Sequence, residues 1–413
     1  MGYQQGLSGL SGASNALDVI GNNIANANTV GFKSSTAQFA DMYANSVATS
    51  VNTQIGIGTR ISSVQQSFGQ GTINTTNNAL DVAINGNGFF QMSNNGVITY
   101  SRDGTFQRDK NGFIVDSQGR NLMGYNATAG GVINTAATVP LQAPTANLAP
   151  TATTKITGQF NLNSQDAVPA TTPFSATDST SYNYSTSIQV YDTLGGAQQV
   201  DMYFVKSATA GQWEAYAGVK GQTPTDLGTV KFNTSGQIAS TTIPSGAATP
   251  STGQFQFSIP ATGGSLTPQN LTLDLTGTTQ YGGKDGVNNL AQDGYASGTL
   301  TTFTIGADGK LTGNYSNGQT QTLGLIALAN FNNPNGLTNL GGNQYAESSA
   351  SGVPQISAPG STNHGMLQGS ALENSNVDLT AQLVNLITAQ RNYQANAQTI
   401  KTQQAVDQAV INL

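Results

Sequence analysis

Ser375-Asn-Val-Asp-Leu-Thr-Ala-Gln-Leu-Val-Asn-Leu386 opens the stretch on which the reading of this chain turns. Ser375 and Asp378 stand in the Ser-x-x-Asp pattern that caps a helix start. Beyond them, apolar residues recur in alternating steps of four and three at Leu379, Leu383, Leu386, Tyr393, Ala397, Ile400 and Ile411. Gln390, Gln404 and Asp407 occupy the same seam and weaken it toward the end. Neither Gly nor Pro interrupts residues 370–413. The spacing predicts a long helix with a coiled-coil seam, roughly 50 Å in length at 1.5 Å per residue.

The other end repeats the pattern with a weaker chain. Leu7, Leu10, Ser14, Leu17, Gly21 and Ile24 form a seam, widened by Ala13, Ala16, Ile20 and Ala27. Only Asp18 is charged before Lys33, so protein is expected around most of such a helix. Gly6, Gly9, Gly12 and Gly21 each cost about 1 kcal/mol in a helix interior. This helix is expected to be weak alone and to form on assembly.

Between the ends the signals are those of strands. Residues 34–75 are polar and punctuated by Gly56, Gly58, Gly69 and Gly71, as a linker or extended ribbon. Leu80–Asn85, Phe89-Phe90, Val97–Tyr100 and Phe113–Val115 are short strands separated by the turns Arg102-Asp-Gly104 and Asp109-Lys-Asn-Gly112. Ser187–Tyr191 and Val200–Val205 alternate across Gly195-Gly196 as a hairpin, with Trp213–Tyr216 as the next strand. Thr299–Ile305 and Leu323–Phe331 return to strand character.

The fold class expected is α+β. It takes the form of a nested multidomain rod, in which paired N- and C-terminal coiled-coil helices carry two inserted antiparallel β domains. The helical domain comprises 1–33 with 372–413, and linkers or extended segments comprise 34–75 with 355–371. An inner β domain comprises 76–145 with 286–354, and an outer β domain comprises 146–285.

Composition narrows the function. Charged residues are 8% of the chain and the net charge is −6, without basic runs, so nucleic acid is not expected as a partner. A surface of neutral amides and hydroxyls presents little charge to desolvate, which suits contact with copies of itself. There is no Cys and a single His, His364, against disulfide frameworks, thiolate chemistry and the usual zinc or triad sites. No membrane insertion is expected, because no apolar run approaches the ~18 residues of a spanning helix. No cleavable signal is read at the N-terminus.

Fragments of chemical motifs resolve into turns. Gly56-Ile-Gly58 and Gly86-Asn-Gly88 lack the third glycine and the helix of a dinucleotide loop. Asp109-Lys-Asn-Gly112 brings its Gly too early for a calcium loop and has no closing Glu. Asp103, Asp116, Asp192 and Asp308 sit beside turn residues, and no carboxylate pair suggests glycosidase chemistry. Asn74, Asn126, Asn183, Asn233, Asn270 and Asn314 begin Asn-x-Ser/Thr triplets, numerous because Asn and Thr are. No catalytic residue, cofactor or metal is expected.

Two of these stretches resemble the flagellar rod-and-hook axial protein family. The N-terminal resemblance lies in Leu17-Asp-Val-Ile-Gly-Asn-Asn-Ile-Ala-Asn-Ala-Asn-Thr-Val-Gly-Phe-Lys33. The C-terminal one lies in Leu372-Glu-Asn-Ser-Asn-Val-Asp-Leu379, with Leu386 and Ala389–Lys401. Length, with Asp81–Phe90 and the hairpin at Val190–Asp192 and Tyr203–Lys206, looks like the hook branch rather than the shorter rod proteins. Tyr43–Gly56 looks longer than in some members. The resemblance implies terminal helices lining a tube, β domains in outer shells, and export through the flagellum's own type III apparatus to the cell exterior. The implied partners are other copies of the chain, the distal rod protein, the hook cap, the hook–filament junction proteins and the export apparatus. The assembly contact is expected at Leu7, Leu10, Leu17, Ile20 and Ile24 against Leu379, Leu383, Leu386, Tyr393 and Ile400. A rod-like part of the same machine, giving straight polymers, and a secreted carbohydrate-binding or hydrolytic β-protein are the competing readings.

Overall fold

The structure, a computed structural model, describes residues 2–42, 56–128, 130–144, 146–244, 251–261 and 268–411. Helix α1 (Gly2–Ala25) opens the chain and helix α2 (Leu379–Ile411) closes it, with twenty-eight strands between them among the described residues. After α1 come strands β1 (Ser35–Met42) and β2 (Gly58–Gln66), paired as an antiparallel ribbon. Of the stretch Tyr43–Gly56, residues 43–55 lie outside the described residues. The chain divides into two compact units: 1–145, 301–314 and 320–413 form the first, and 146–300 with 315–319 the second.

In the first unit a branched sheet runs through Thr320–Ile326, Asn121–Asn126, Phe89–Asn94, Val97–Ser101 and Gln344–Ala346 as hydrogen-bonded neighbours. Successive strand side chains point to opposite faces, so the pair Phe89-Phe90 serves two cores. Phe90 packs with Val82, Met92, Leu122, Leu311 and Ile326, its ring edge-on to Phe106 at 5.1 Å. Phe89 faces the other way, into Tyr100, Phe331 and Tyr345. Both faces are therefore covered at this pair; beyond it the strand alternates, Met92 joining the core of Phe90 while polar Gln91 and Ser93 fall on the side of Phe89. The Asp109–Gly112 turn is closed by Asp109, whose Oδ1 accepts the N–H groups of Asn111 and Phe113 at 2.9 and 2.7 Å.

The second unit is a sandwich. Tyr184–Tyr191, Ala197–Lys206, Gln212–Val219, Thr225–Phe232 and Ile238–Thr242 form an antiparallel meander in chain order. A four-stranded sheet of Gln254–Ile259, Gln269–Asp274, Lys155–Asn161 and Gly286–Gln292 shares its core. Val200, Met202 and Phe204 alternate inward against Phe160, Trp213 and Leu273, with Asp201, Tyr203 and Val205 on the opposite side. Lys155–Asn161 pairs with Gln269–Asp274 in parallel, so this unit is not wholly antiparallel.

The expected coiled-coil pairing of the terminal helices is not seen. Strands dominate, and the two helices do not join as a coiled coil, although the broad α+β class is compatible. They run antiparallel and touch through small residues. A Cβ at Gly9 would lie 2.7 Å from Asn396 Oδ1, and one at Gly6 would lie 2.9 Å from Ile400 Cγ1. The seam residues Leu7, Leu379, Leu383 and Tyr393 are 52%, 47%, 45% and 38% exposed, so they fill no holes on the partner helix. The physical reason is steric: knobs-into-holes packing needs side chains at the contact, and α1 brings glycines there. The cap also differs from the expected box. Asp378 rather than Ser375 caps α2, its Oδ1 accepting the N–H groups of Thr380 and Ala381 at 2.9 and 3.1 Å.

Candidate assembly interface

Helix α1 carries one charge, Asp18, and α2 carries three, Arg391, Lys401 and Asp407. Neither has the charged outer face of a surface helix. Of the expected contact residues, Leu10, Leu17, Ile20, Ile24, Leu386 and Ile400 are half-buried. Leu7, Leu379, Leu383 and Tyr393 are exposed. Ala13 and Ala389 are buried instead, where the helices come close. Beside them, a groove of about 370 Å³ is lined by Gly9, Ala13, Ala16, Phe39, Ala389 and Asn396.

Sequence reasoning missed part of the apolar surface. Val384, Ile387, Val406 and Val410 are also exposed on α2, as are Phe39, Ile61 and Val64 on the ribbon. Val384 and Ile387 sit one step off the seam, so a search confined to steps of three and four passes over them.

Where the helices meet the β body, three charges are buried. Lys33 Nζ donates to Glu373 Oε1 at 2.7 Å and to the Gly69 carbonyl at 2.9 Å. The Gly71 N–H also donates to Glu373 Oε1, at 2.8 Å. Arg102 Nη1 reaches Glu373 Oε2 at 3.4 Å, and its Nη2 donates to the Gly86 carbonyl at 2.8 Å. The guanidinium lies 5.4 Å from the centre of the Phe89 ring. Burial, and then the charge of Arg102, pushes the Lys33 ammonium below its ordinary pKa of 10.5, with Glu373 partly restoring it.

Backbone contacts tighten the same place. Gly31 N–H donates to the Glu373 carbonyl at 2.8 Å. Its φ of +68° and its approach to Asp103, where a Cβ would lie 2.7 Å from the backbone N, require glycine. Asn376 Oδ1 accepts Ser34 N–H at 2.7 Å, and Asn343 Nδ2 donates to the Val30 carbonyl at 2.8 Å. No role for Lys33 or Glu373 follows from the sequence. The one available signal is that each is a charge in an otherwise neutral stretch. Among the described residues no group of three His, Cys, Asp or Glu side chains could hold a metal, and no helix is long and apolar enough to cross a membrane.

Four stretches match known families. Residues 4–33 match the flagellar basal body rod protein family, and 83–158 the flagellar hook protein FlgE/F/G D1 domain. Residues 161–295 match the flagellar basal body protein FlaE D2 domain, and 368–413 the flagellar basal body rod FlgEFG protein C-terminal family. The flagellar hook protein FlgE of Salmonella typhimurium is 42% identical over 424 residues, covering 100% of both chains. This chain belongs to the flagellar hook protein family. The hook protein of Escherichia coli is 41% identical across 100% of both chains. That of Treponema pallidum is 32% identical over 99% of this chain and 98% of its own. A hook protein is a structural subunit, from a family without enzymes, and its place is the extracellular hook attached to the flagellar basal body. Within this hook-family chain, the N-terminal match ends on Lys33 and the C-terminal match contains Glu373.

Proposed function

We propose that copies of this chain polymerise into a helical tube through their terminal helices, and that the tube passes motor torque from rod to filament as a flexible joint. The observation that supports it most is the row of exposed apolar residues on α2, including Leu379, Leu383, Val384 and Ile387, on a helix with few charges. Burying a Leu or Ile side chain contributes about 1.5–3 kcal/mol, so such a row favours protein contact over water. The row and the groove lined by Ala13, Ala16 and Ala389 lie on the same helix pair. They suit a heterologous contact that repeats without closing, which builds a helical filament.

Leu7, Leu10, Leu17, Ile20 and Ile24, with Leu379, Leu383, Leu386, Tyr393 and Ile400, supply the lasting contacts between copies. The charge-poor β domains, 76–145 with 286–354 and 146–285, supply weaker lateral ones. Contacts of neutral amides and hydroxyls are water-mediated and interchangeable, so they slide at little cost as a tube bends. The ends of the tube meet the distal rod protein, the hook cap and the hook–filament junction proteins, and subunits arrive through the flagellar export apparatus.

Negative-stain electron microscopy in a salting-out buffer tests this reading. Full-length protein is expected to form curved tubes, alone or seeded with hook fragments, and protein lacking residues 2–30 to remain monomeric. Tubes from the truncated chain would overturn the role given to the helices, and straight tubes the flexible joint.

A further inference from the structure

We propose that Glu373 is the positioning residue that seats both terminal helices on the β body, so that the cluster it forms with Lys33 and Arg102 sets the direction in which α1 and α2 leave. Glu373 ends the strand Ala371–Glu373, which pairs with Ile73–Thr75. Its carboxylate draws in three separate pieces of chain. Oε1 accepts Lys33 Nζ, from the segment after α1, and the Gly71 N–H, while Oε2 faces Arg102. The flanking backbones lie side by side, with Gly31 N–H on the Glu373 carbonyl and Ser34 N–H on Asn376 Oδ1. The two helix roots are thus held as one piece, and the carboxylate is its centre.

The charge count makes this role testable. Glu373 is the one carboxylate in an ion pair with either Lys33 or Arg102 among the described residues, and all three side chains are at most 3% exposed. Removing the charge of Lys33 or of Arg102 leaves one cation opposite one anion. Removing the charge of Glu373 leaves two buried cations without a counter-ion, a far more costly arrangement. The apolar core of Val82, Phe90, Met92 and Leu122 is a separate cluster, which lets the helix roots loosen while the sheet persists. The seating belongs to the single chain. Only its consequence for tubes rests on the assembly reading.

Hydrogen exchange of the full-length monomer, with Glu373→Gln, Lys33→Met and Arg102→Met variants, decides the matter. Glu373→Gln is expected to speed exchange at 31–34 and 371–376 together, by at least about tenfold, with Val82–Asn85 and Phe89–Asn94 unchanged. Lys33→Met and Arg102→Met are expected to have smaller effects at the same amides. In tube assays Glu373→Gln is expected to give few or irregular tubes and Lys33→Met regular ones. Protection lost evenly across the sheet in Glu373→Gln, or equal effects of Glu373→Gln and Lys33→Met, would overturn the proposal. If Glu373→Gln cannot be purified folded, unaltered protection at 31–34 and 371–376 in both other variants would overturn it instead. Wild-type chains that are protected at these amides yet form no tubes with any seed would overturn the assembly reading and leave the seating intact.

Discussion

Lys33 and Glu373, 340 residues apart in the chain, meet at 2.7 Å with both side chains wholly buried. Each lies beside the root of a terminal helix. With Arg102 on the other carboxylate oxygen, the site holds two cations and one anion.

That imbalance predicts unequal costs. Glu373→Gln should destabilise the first unit by about 3–5 kcal/mol, the usual cost of leaving a buried charge unpaired, and Lys33→Met by clearly less. Calorimetry reads the first unit. The fluorescence of Trp213, the chain's sole tryptophan and a buried core residue of the second unit, should show its transition unmoved. Equal losses in the two variants would count against the electrostatic account.

Alkali should act on the first unit through Tyr345. Burial pushes its hydroxyl up to about 12 from an ordinary 10. Above pH 10 the unfolded chain gives up this proton while the folded one keeps it. The stability contributed is therefore complete below pH 10 and lost as pH rises toward 12. Tyr345→Phe should flatten the fall in stability between pH 10 and 12, measured by denaturant titration at each pH. An unchanged slope would exclude Tyr345 as its source.

In acid the second unit should weaken through Asp274. Burial raises its carboxyl, but the bonds from Lys155, Thr276 and Gln254 together outweigh that and hold it at about 2. Its contribution is present above pH 3.8 and disappears as pH falls through 2, because the unfolded chain takes the proton first. Asp274→Asn should lower stability at neutral pH and reduce the acid dependence between pH 4 and 2, read by Trp213 fluorescence. Parallel pH curves for the two proteins would refute this.

Glycines in α1 should differ sharply. Gly21 has nothing within 4 Å of a built Cβ, so Gly21→Ala should stabilise the helix by up to about 1 kcal/mol. Gly6→Ala gains the same propensity but meets Cγ1 of the β-branched Ile400 at 2.9 Å, and should push α1 away from α2. Hydrogen exchange along α1 is expected to slow in the first variant and quicken in the second; similar changes in both would mean that packing on α2 does not limit α1.

Ile387, 52% exposed on α2, is a position where an introduced charge should matter only between copies. Ile387→Asp should leave the monomer's circular dichroism and melting unchanged within about 0.5 kcal/mol while preventing tube formation in pelleting assays. Tubes at wild-type yield would remove this face from the assembly contact.

The sequence carried the local features well. The turn at Gly195-Gly196 lies between Tyr184–Tyr191 and Ala197–Lys206, and the strand character of Phe89-Phe90 is plain, because turn chemistry and period-two alternation act over a few residues. The helix seam was legible as periodicity and misleading as a contact. Periodicity says which residues share a face, and nothing about which neighbour covers that face. Leu383 and Ala389 lie on the same helix, yet the small residue is buried and the large one exposed.

By itself, then, the sequence determined the strand-rich middle, the two helical ends, the shortage of charge and the family, all of which are written in adjacent residues and in composition. Only the tertiary structure decided that α1 meets α2 through Gly6 and Gly9, that Lys155–Asn161 lies parallel to Gln269–Asp274, and that Lys33 answers Glu373. Those are pairings across long loops, where closure entropy changes little with length, so no local pattern selects one partner over another. Burial selects it, because a backbone polar group or, above all, a charge left without its partner inside the protein is too costly to leave.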